Sequence, residues 1–119
     1  MPTPAELLAV ARTDRTFTEA QLPGRGQEPA RPAWKGRCFY CETPIWLLRD
    51  GSPVTDVSLE HILPRAHGGD DSPRNLALAC SRCNQQKGRR VDARPRSDAR
   101  AREVITAAQA RRSERWRDG

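Results

Sequence analysis

No stretch of this 119-residue chain is apolar for long enough to span a bilayer. The first residues predict no secretory leader. Leu7-Leu8-Ala9-Val10-Ala11 is too short an apolar run and has no basic residues before it. The expectation is a protein of the reducing cytoplasm. No internal repeat is visible. Apolar residues are few, 36% against 30% charged, so any core is small. Small cores usually need a staple of metal or disulfides. Acidic residues run short in one region only. Residues 1–84 hold ten basic and ten acidic side chains, whereas residues 85–119 hold eleven and five. The whole net charge of +6 therefore sits in the last third. Such a basic segment suits a polyanion, nucleic acid first, although a solvated arginine-rich helix has the same composition.

Four cysteines are present, in two C-x-x-C pairs, Cys38/Cys41 and Cys80/Cys83. Two-residue spacing lets both thiolates of a pair reach one ion, and two pairs complete a tetrahedral zinc site. Two disulfides are the alternative, and a reducing compartment disfavours them. A closed four-thiolate site does no chemistry. It would pin the ends of the segment between the pairs, and that segment carries Glu60-His61.

The chain divides by composition into three parts. Residues 1–33 read as an N-terminal helix and a linker. Thr3-Pro4-Ala5-Glu6 is a helix start with a capping box, and Gln21 to Ala33 is rich in Pro, Gly, Arg and Glu without periodicity. The helix reads as an appendage. Residues 34–92 read as the compact unit. It holds a short strand at Ile45–Leu48, a turn at Asp50-Gly51 and a strand from Val54 to Ile62. A loop through Gly68-Gly69 leads to a second strand at Asn75–Ala79, then a helix capped by Ser81. Residues 93–119 read as a basic helix capped by Ser97, with Ala101, Val104, Ile105 and Ala108 as one apolar stripe.

The run Leu59-Glu60-His61-Ile62-Leu63-Pro64-Arg65, then Gly68-Gly69, Asn75-Leu76 and Cys80-Ser81-Arg82-Cys83-Asn84-Gln85-Gln86-Lys87, resembles the HNH endonucleases. With Cys38/Cys41 upstream it is similar to their zinc-stapled subgroup, and the likeness covers about residues 36–90. The resemblance implies an α+β fold, a small ββα-metal domain stapled by Cys₄ zinc, with flanking helices. It implies hydrolysis of DNA by one divalent cation, Mg²⁺ or Mn²⁺, leaving 5′-phosphate and 3′-hydroxyl ends. By that resemblance His61 is the general base, Asn75 braces the loop that orients it, and Glu60 and Asn84 are ligands of the catalytic ion. Aspartate is commoner in the family at the Glu60 position, and histidine occurs at the Asn84 position. Carboxylate and amide oxygens both bind hard cations. Free imidazole, with a pKa of about 6.5, can accept a proton at neutral pH. Lys87, Arg65, Arg90, Arg100, Arg111 and Arg112 are the candidate nucleic-acid contacts.

Each residue also has a plainer reading. An isolated Glu-His pair is most often an exposed carboxylate beside a satisfied imidazole. Asn84 suits the first turn of a helix. His67 reads as an exposed loop residue, Lys87 as a solvated lysine, Trp46 as core, and Trp116 as a residue free to stack on a base. The rival function is a zinc-stapled nucleic-acid-binding module, or an adaptor, with weak or no nuclease activity.

Overall fold

The computed structural model describes residues 1–119, in the order α1 (Pro4–Arg12), β1 (Thr18–Leu22), β2 (Arg31–Arg37), β3 (Pro44–Leu48), β4 (Ser58–His61), β5 (Leu76–Ala79), α2 (Ser81–Lys87) and α3 (Ala99–Arg115). Strands β1, β2 and β3 form one antiparallel sheet, and β4 with β5 a separate antiparallel pair. Helix α2 follows β5 directly, so β4, β5 and α2 make the ββα unit.

α1 starts as its sequence requires. Thr3 Oγ1 accepts from Glu6 N–H at 3.2 Å, and Glu6 Oε1 accepts from Thr3 N–H at 3.1 Å. The helix is not an appendage. Leu7, Val10 and Ala11 are buried in one cluster with Phe17, Cys38, Ile45, Leu47, Leu76, Leu78 and Cys83. The segment from Gln21 to Ala33 is not a linker either. Leu22 pairs with Arg31 and Gln21 with Pro32, closing the β1–β2 hairpin. Its residues give no alternation because most are exposed, and backbone pairing rather than burial defines the hairpin. Further along β2, Gly36 lies against Phe17, where a Cβ would come within 2.4 Å of the ring. Only glycine fits there.

The strand expected from Val54 to Ile62 is shorter, Ser58–His61, and Asn75 lies just before β5 rather than in it. Trp46 is half-buried on β3, with Lys35 Nζ 5.3 Å from its ring centre.

α3 is capped by Asp98 rather than Ser97, the carboxylate accepting from Ala101 N–H at 2.8 Å. Its buried stripe is Ala101, Ile105, Ala108 and Arg112, whereas Val104 is 37% exposed. Spacing explains this: 101, 105, 108 and 112 share one face, and Val104 falls beside it. Arg112 is the largest fully buried side chain. It donates to Leu76 O and Thr13 O, both at 2.8 Å, to Thr13 Oγ1 at 2.7 Å and to Pro73 O at 3.1 Å. Burial pulls its guanidinium below the usual arginine range. Arg117 then donates to Arg12 O and Ala11 O at 3.0 and 3.1 Å, adding a cation at the C-terminal end of α1. Trp116 lies between Arg74 and Arg112, 4.0 and 5.0 Å from its centre, and is half-buried rather than free. The last third of the chain is thus structural as well as basic.

Arg112→Ala leaves buried carbonyls without donors. It is expected to cost about 3 kcal/mol or more, read as a lower urea midpoint at unchanged m-value. A variant with the wild-type midpoint would remove Arg112 from the stabilising contacts. Truncation after Pro95 strips the same contacts and the α3 stripe, so the core would not keep its stability without the tail.

Candidate active site

The first C-x-x-C pair sits in the turn between β2 and β3. Cys38 N–H donates to Thr43 O at 2.8 Å and Glu42 N–H to Cys38 O at 3.1 Å. Glu42 takes a φ of 64°, which tightens the turn around sulfur. The second pair lies at the start of α2. Cys80 is the N-cap and Cys83 falls in the first turn, so the expected cap Ser81 is one residue inside. Asp56 caps this helix from outside, its Oδ2 accepting from Ser81 N–H at 2.9 Å. The four sulfurs lie within 4.8 Å of one another. Cys41 and Cys80 Sγ are 3.8 Å apart. A zinc–sulfur bond of about 2.3 Å implies tetrahedral edges close to that length. The donor set therefore fits a metal of the zinc type. Burial pushes the Cys83 and Cys80 thiols up, and the Thr43 hydroxyl brings Cys41 down to about 6. A bound cation would favour thiolate at all four.

On β4, Glu60 and His61 point to opposite faces, as alternation demands. Glu60 is 1% exposed and faces α2, where Lys87 Nζ lies 2.9 Å from its Oε1 and the Tyr40 hydroxyl donates to Oε2. Burial pushes the Glu60 carboxyl up, against the pull of Lys87 and Tyr40. Lys87 also contacts Asp92 Oδ1 at 2.7 Å and donates to His61 O at 2.9 Å. Were the hairpin to pack on the helix with one face gathering Glu60, His61 and Asn84, all three would meet; instead β4 turns Glu60 and His61 to opposite sides. Glu60 is engaged by a lysine and a tyrosine, and Asn84 is half-buried on α2.

His61 faces the other way, into a cleft of about 310 Å³ shared with Ala9 and Val10 of α1, Leu59, Arg65 and Asp71. Its Nε2 lies 2.7 Å from Asp71 Oδ1. Arg65 Nη2 grips both Asp71 oxygens at 2.8 and 2.9 Å. The His61 hydrogen bond is the main force holding the Asp71 carboxyl below its usual range. Arg65 Nε lies 3.4 Å from the same Nε2. The shorter contact is to a carboxylate, which only accepts when ionised, and this favours Nε2 as the donor to Asp71. Asp71 was not among the sequence candidates. It lies ten residues from His61 across an irregular loop, and no local pattern points to it.

Asn75 ties that loop with three hydrogen bonds. Its Oδ1 accepts from Leu63 N–H at 2.8 Å, and its Nδ2 donates to Leu63 O at 3.0 Å and Asp70 O at 2.8 Å. Gly69 passes under it, where a Cβ would come within 1.8 Å of Leu63 O. His67 is buried rather than exposed, its ring Nε2 bonding Arg94 O at 2.8 Å. It ties the loop to the segment before α3.

Of the six candidate nucleic-acid contacts, two are withdrawn from the surface. Arg112 is spent on carbonyls, and Lys87 is 6% exposed and paired with two carboxylates. Arg65, Arg90, Arg100 and Arg111 are exposed, Arg65 being held by Asp71 and Arg111 lying against Phe39. Arg90 and Arg100 line a cleft of about 550 Å³ beside Tyr40 and Lys87. Tyr40 and Asp92, like Asp71, were missed. The signal for a buried Lys87 was available, since it follows the buried Cys83 by one helical turn. No helix is long and apolar enough to cross a membrane.

A family model described as HNH endonuclease matches residues 38–99, which include both cysteine pairs, β4, β5 and α2. The chain is also 34% identical over 91 residues to the CRISPR-associated endonuclease Cas9 of Corynebacterium diphtheriae. That match covers 66% of this chain but 8% of the Cas9. No solved structure matches. A match over more than half of the chain, on a ββα unit closed by four thiols, places this protein in the HNH endonuclease family.

Proposed function

We propose that this chain is an endonuclease that hydrolyses DNA phosphodiester bonds with His61 as general base and one divalent cation, Mg²⁺ or Mn²⁺. The observation that carries the reading is the His61–Asp71 pair, held in a loop that Asn75 ties down. With Nε2 engaged, Nδ1 is free to take the proton from the attacking water. The water oxygen adds to phosphorus in line with the departing 3′ oxygen, the P–O3′ bond breaks, and that oxygen is protonated from solvent. Asp71 keeps the ring in the right tautomer and offsets the charge of the protonated imidazole. Arg65, Arg90, Arg100 and Arg111 supply positive charge for the DNA backbone.

Glu60 and Asn84 are the residues that would hold the cation. Two oxygen donors suit Mg²⁺ or Mn²⁺, and such an ion supplies charge stabilisation at the scissile phosphate and the leaving oxygen. In the four-thiol cluster zinc would serve structure alone. We assign residues 34–92 the nuclease role, with residues 1–33 and 93–119 as buttresses packed against them, and place the protein in the cytoplasm. A second reading, a nucleic-acid-binding module without cleavage, draws support from one observation: Glu60 is buried against Lys87.

Cleavage of supercoiled plasmid by pure protein with Mg²⁺ or Mn²⁺, abolished by EDTA, separates the two. Binding without cleavage under those conditions would favour the module. For the ligand set, Asn84→His is expected to move the metal preference toward Ni²⁺ or Zn²⁺, because imidazole suits the later metals. An unchanged ranking of metals in that variant would take Asn84 out of the ligand set.

A further inference from the structure

We propose that the Lys87 ammonium is a resident cation that occupies an oxygen site around Glu60, and that a divalent ion enters only by displacing it. The proposal rests on the reading that Glu60 is a ligand of that ion.

Three oxygens from two parts of the chain, β4 and the turn after α2, converge on Lys87 Nζ. They are Glu60 Oε1 at 2.9 Å, Asp92 Oδ1 at 2.7 Å and the His61 carbonyl at 2.9 Å. An ammonium has three protons to donate and no lone pair, so the set saturates it. Two carboxylates and a carbonyl are also what a hard divalent cation takes. The fold has built a cation site and filled it with its own side chain.

The backbone is shaped to this end. Asp92 ends a π-helical turn, Gly88–Asp92, that runs straight on from α2. Such turns are rare and wider than α-helix. This turn puts Val91 inward, 6% exposed, and brings Asp92 to a lysine five residues earlier.

An ionised Glu60 calls for one cation or the other beside it. The Glu60 side chain is 1% exposed and the Lys87 side chain 4%. A carboxylate buried that deeply without a partner is strongly destabilising. A divalent ion among these three oxygens would take the space of the ammonium, which already holds Glu60 Oε1, while the Tyr40 hydroxyl engages Oε2. Lys87 has a four-carbon stem on which to leave, and it borders the cleft lined by Gln86, Arg90 and Arg100. Lysine occupancy of about 90% would lower the apparent ion affinity about tenfold.

The test is Mn²⁺ binding to the zinc-loaded full chain, followed by electron paramagnetic resonance. Lys87→Met keeps the stem and removes the charge. It is expected to bind Mn²⁺ about tenfold tighter than wild type or better. Mn²⁺ should also raise its melting temperature by more than it raises that of wild type. The added change Glu60→Gln should erase the gain. If Lys87→Met binds no tighter while Glu60→Gln weakens binding in wild type, the displacement idea fails and Glu60 remains a ligand. If Glu60→Gln leaves Mn²⁺ binding unchanged in both backgrounds, the ligand reading itself falls. Should Lys87→Met not fold, wild type with ¹⁵N-labelled lysine gives the answer. The buried ammonium resonance should shift as Mg²⁺ saturates the protein. A resonance that stays in place at saturation overturns the proposal.

Discussion

His61→Ala is expected to slow plasmid cleavage by a factor of about 10²–10⁴ while DNA binding stays near wild type. The range equals about 3–5 kcal/mol of lost transition-state stabilisation. The substitution removes the only imidazole that lies in the β4 loop cleft, since His67 is buried against Arg94 O. It leaves the surrounding structure with little reason to change. The bond that Lys87 makes to residue 61 uses the backbone carbonyl, and β4–β5 pairing uses backbone alone. Asp71 keeps its two bonds from Arg65. The loss should therefore fall on the chemical step, as a lower single-turnover rate at saturating protein. Gel-shift affinity for the same DNA, measured without divalent ions, should hold. Undiminished cleavage would remove His61 from the mechanism. A parallel loss of affinity would instead point to a collapsed loop.

Cys80→Ser is expected to unfold the protein. Structural zinc in small domains contributes about 10 kcal/mol or more, which matches or exceeds the net stability of most domains of this size. The geometry explains why so little would survive. Cys38 and Cys83 are buried members of the largest apolar cluster, beside Leu7, Phe17 and Leu78. Losing the ion leaves these thiols in the core with no partner to hold the β2–β3 turn against α2. Cys80 joins the two pairs, its Sγ 3.8 Å from Cys41 Sγ, and serine in its place would keep the helix cap but lose that thiolate. α2 carries Lys87, and with it the burial of Glu60. Wild type should contain one zinc per chain by elemental analysis. A strong chelator should erase its cooperative melt, and Cys80→Ser should show none at room temperature. A metal-free protein with an undisturbed melt would sink the structural-zinc reading.

Much of the site was legible before any fold was known, because its marks are local. Two C-x-x-C pairs, Glu60-His61, Asn75 and the capping box at Thr3 each depend on residues only a few positions apart. The metal cluster and the start of α1 follow from such spacing. Val104 was misplaced for a related reason. A single stripe read over the eight residues 101–108 takes in Val104 as well as Ile105, and only the next turn, at Arg112, shows that the buried face leaves Val104 at its edge. Reading on would have put an arginine in the core, which composition alone argues against.

By itself, then, the sequence determined the fold class, the four-thiol cluster, the position of His61 at the end of a strand, and the placement of positive charge after residue 84. Only the tertiary structure decided what each charged group does. Asp71 meets His61 across ten residues, Lys87 meets Glu60 across twenty-seven, and Arg112 meets Thr13 across ninety-nine. The same structure turned a Pro- and Gly-rich stretch into a hairpin and a detached helix into core. The physical reason is common to all of these. Caps, turns and metal spacing are set by bonds within about one turn of the chain, so residue order encodes them directly. A buried charge must find its partner wherever packing brings an oxygen or a cation within reach, and that choice is made only when distant segments close on one core.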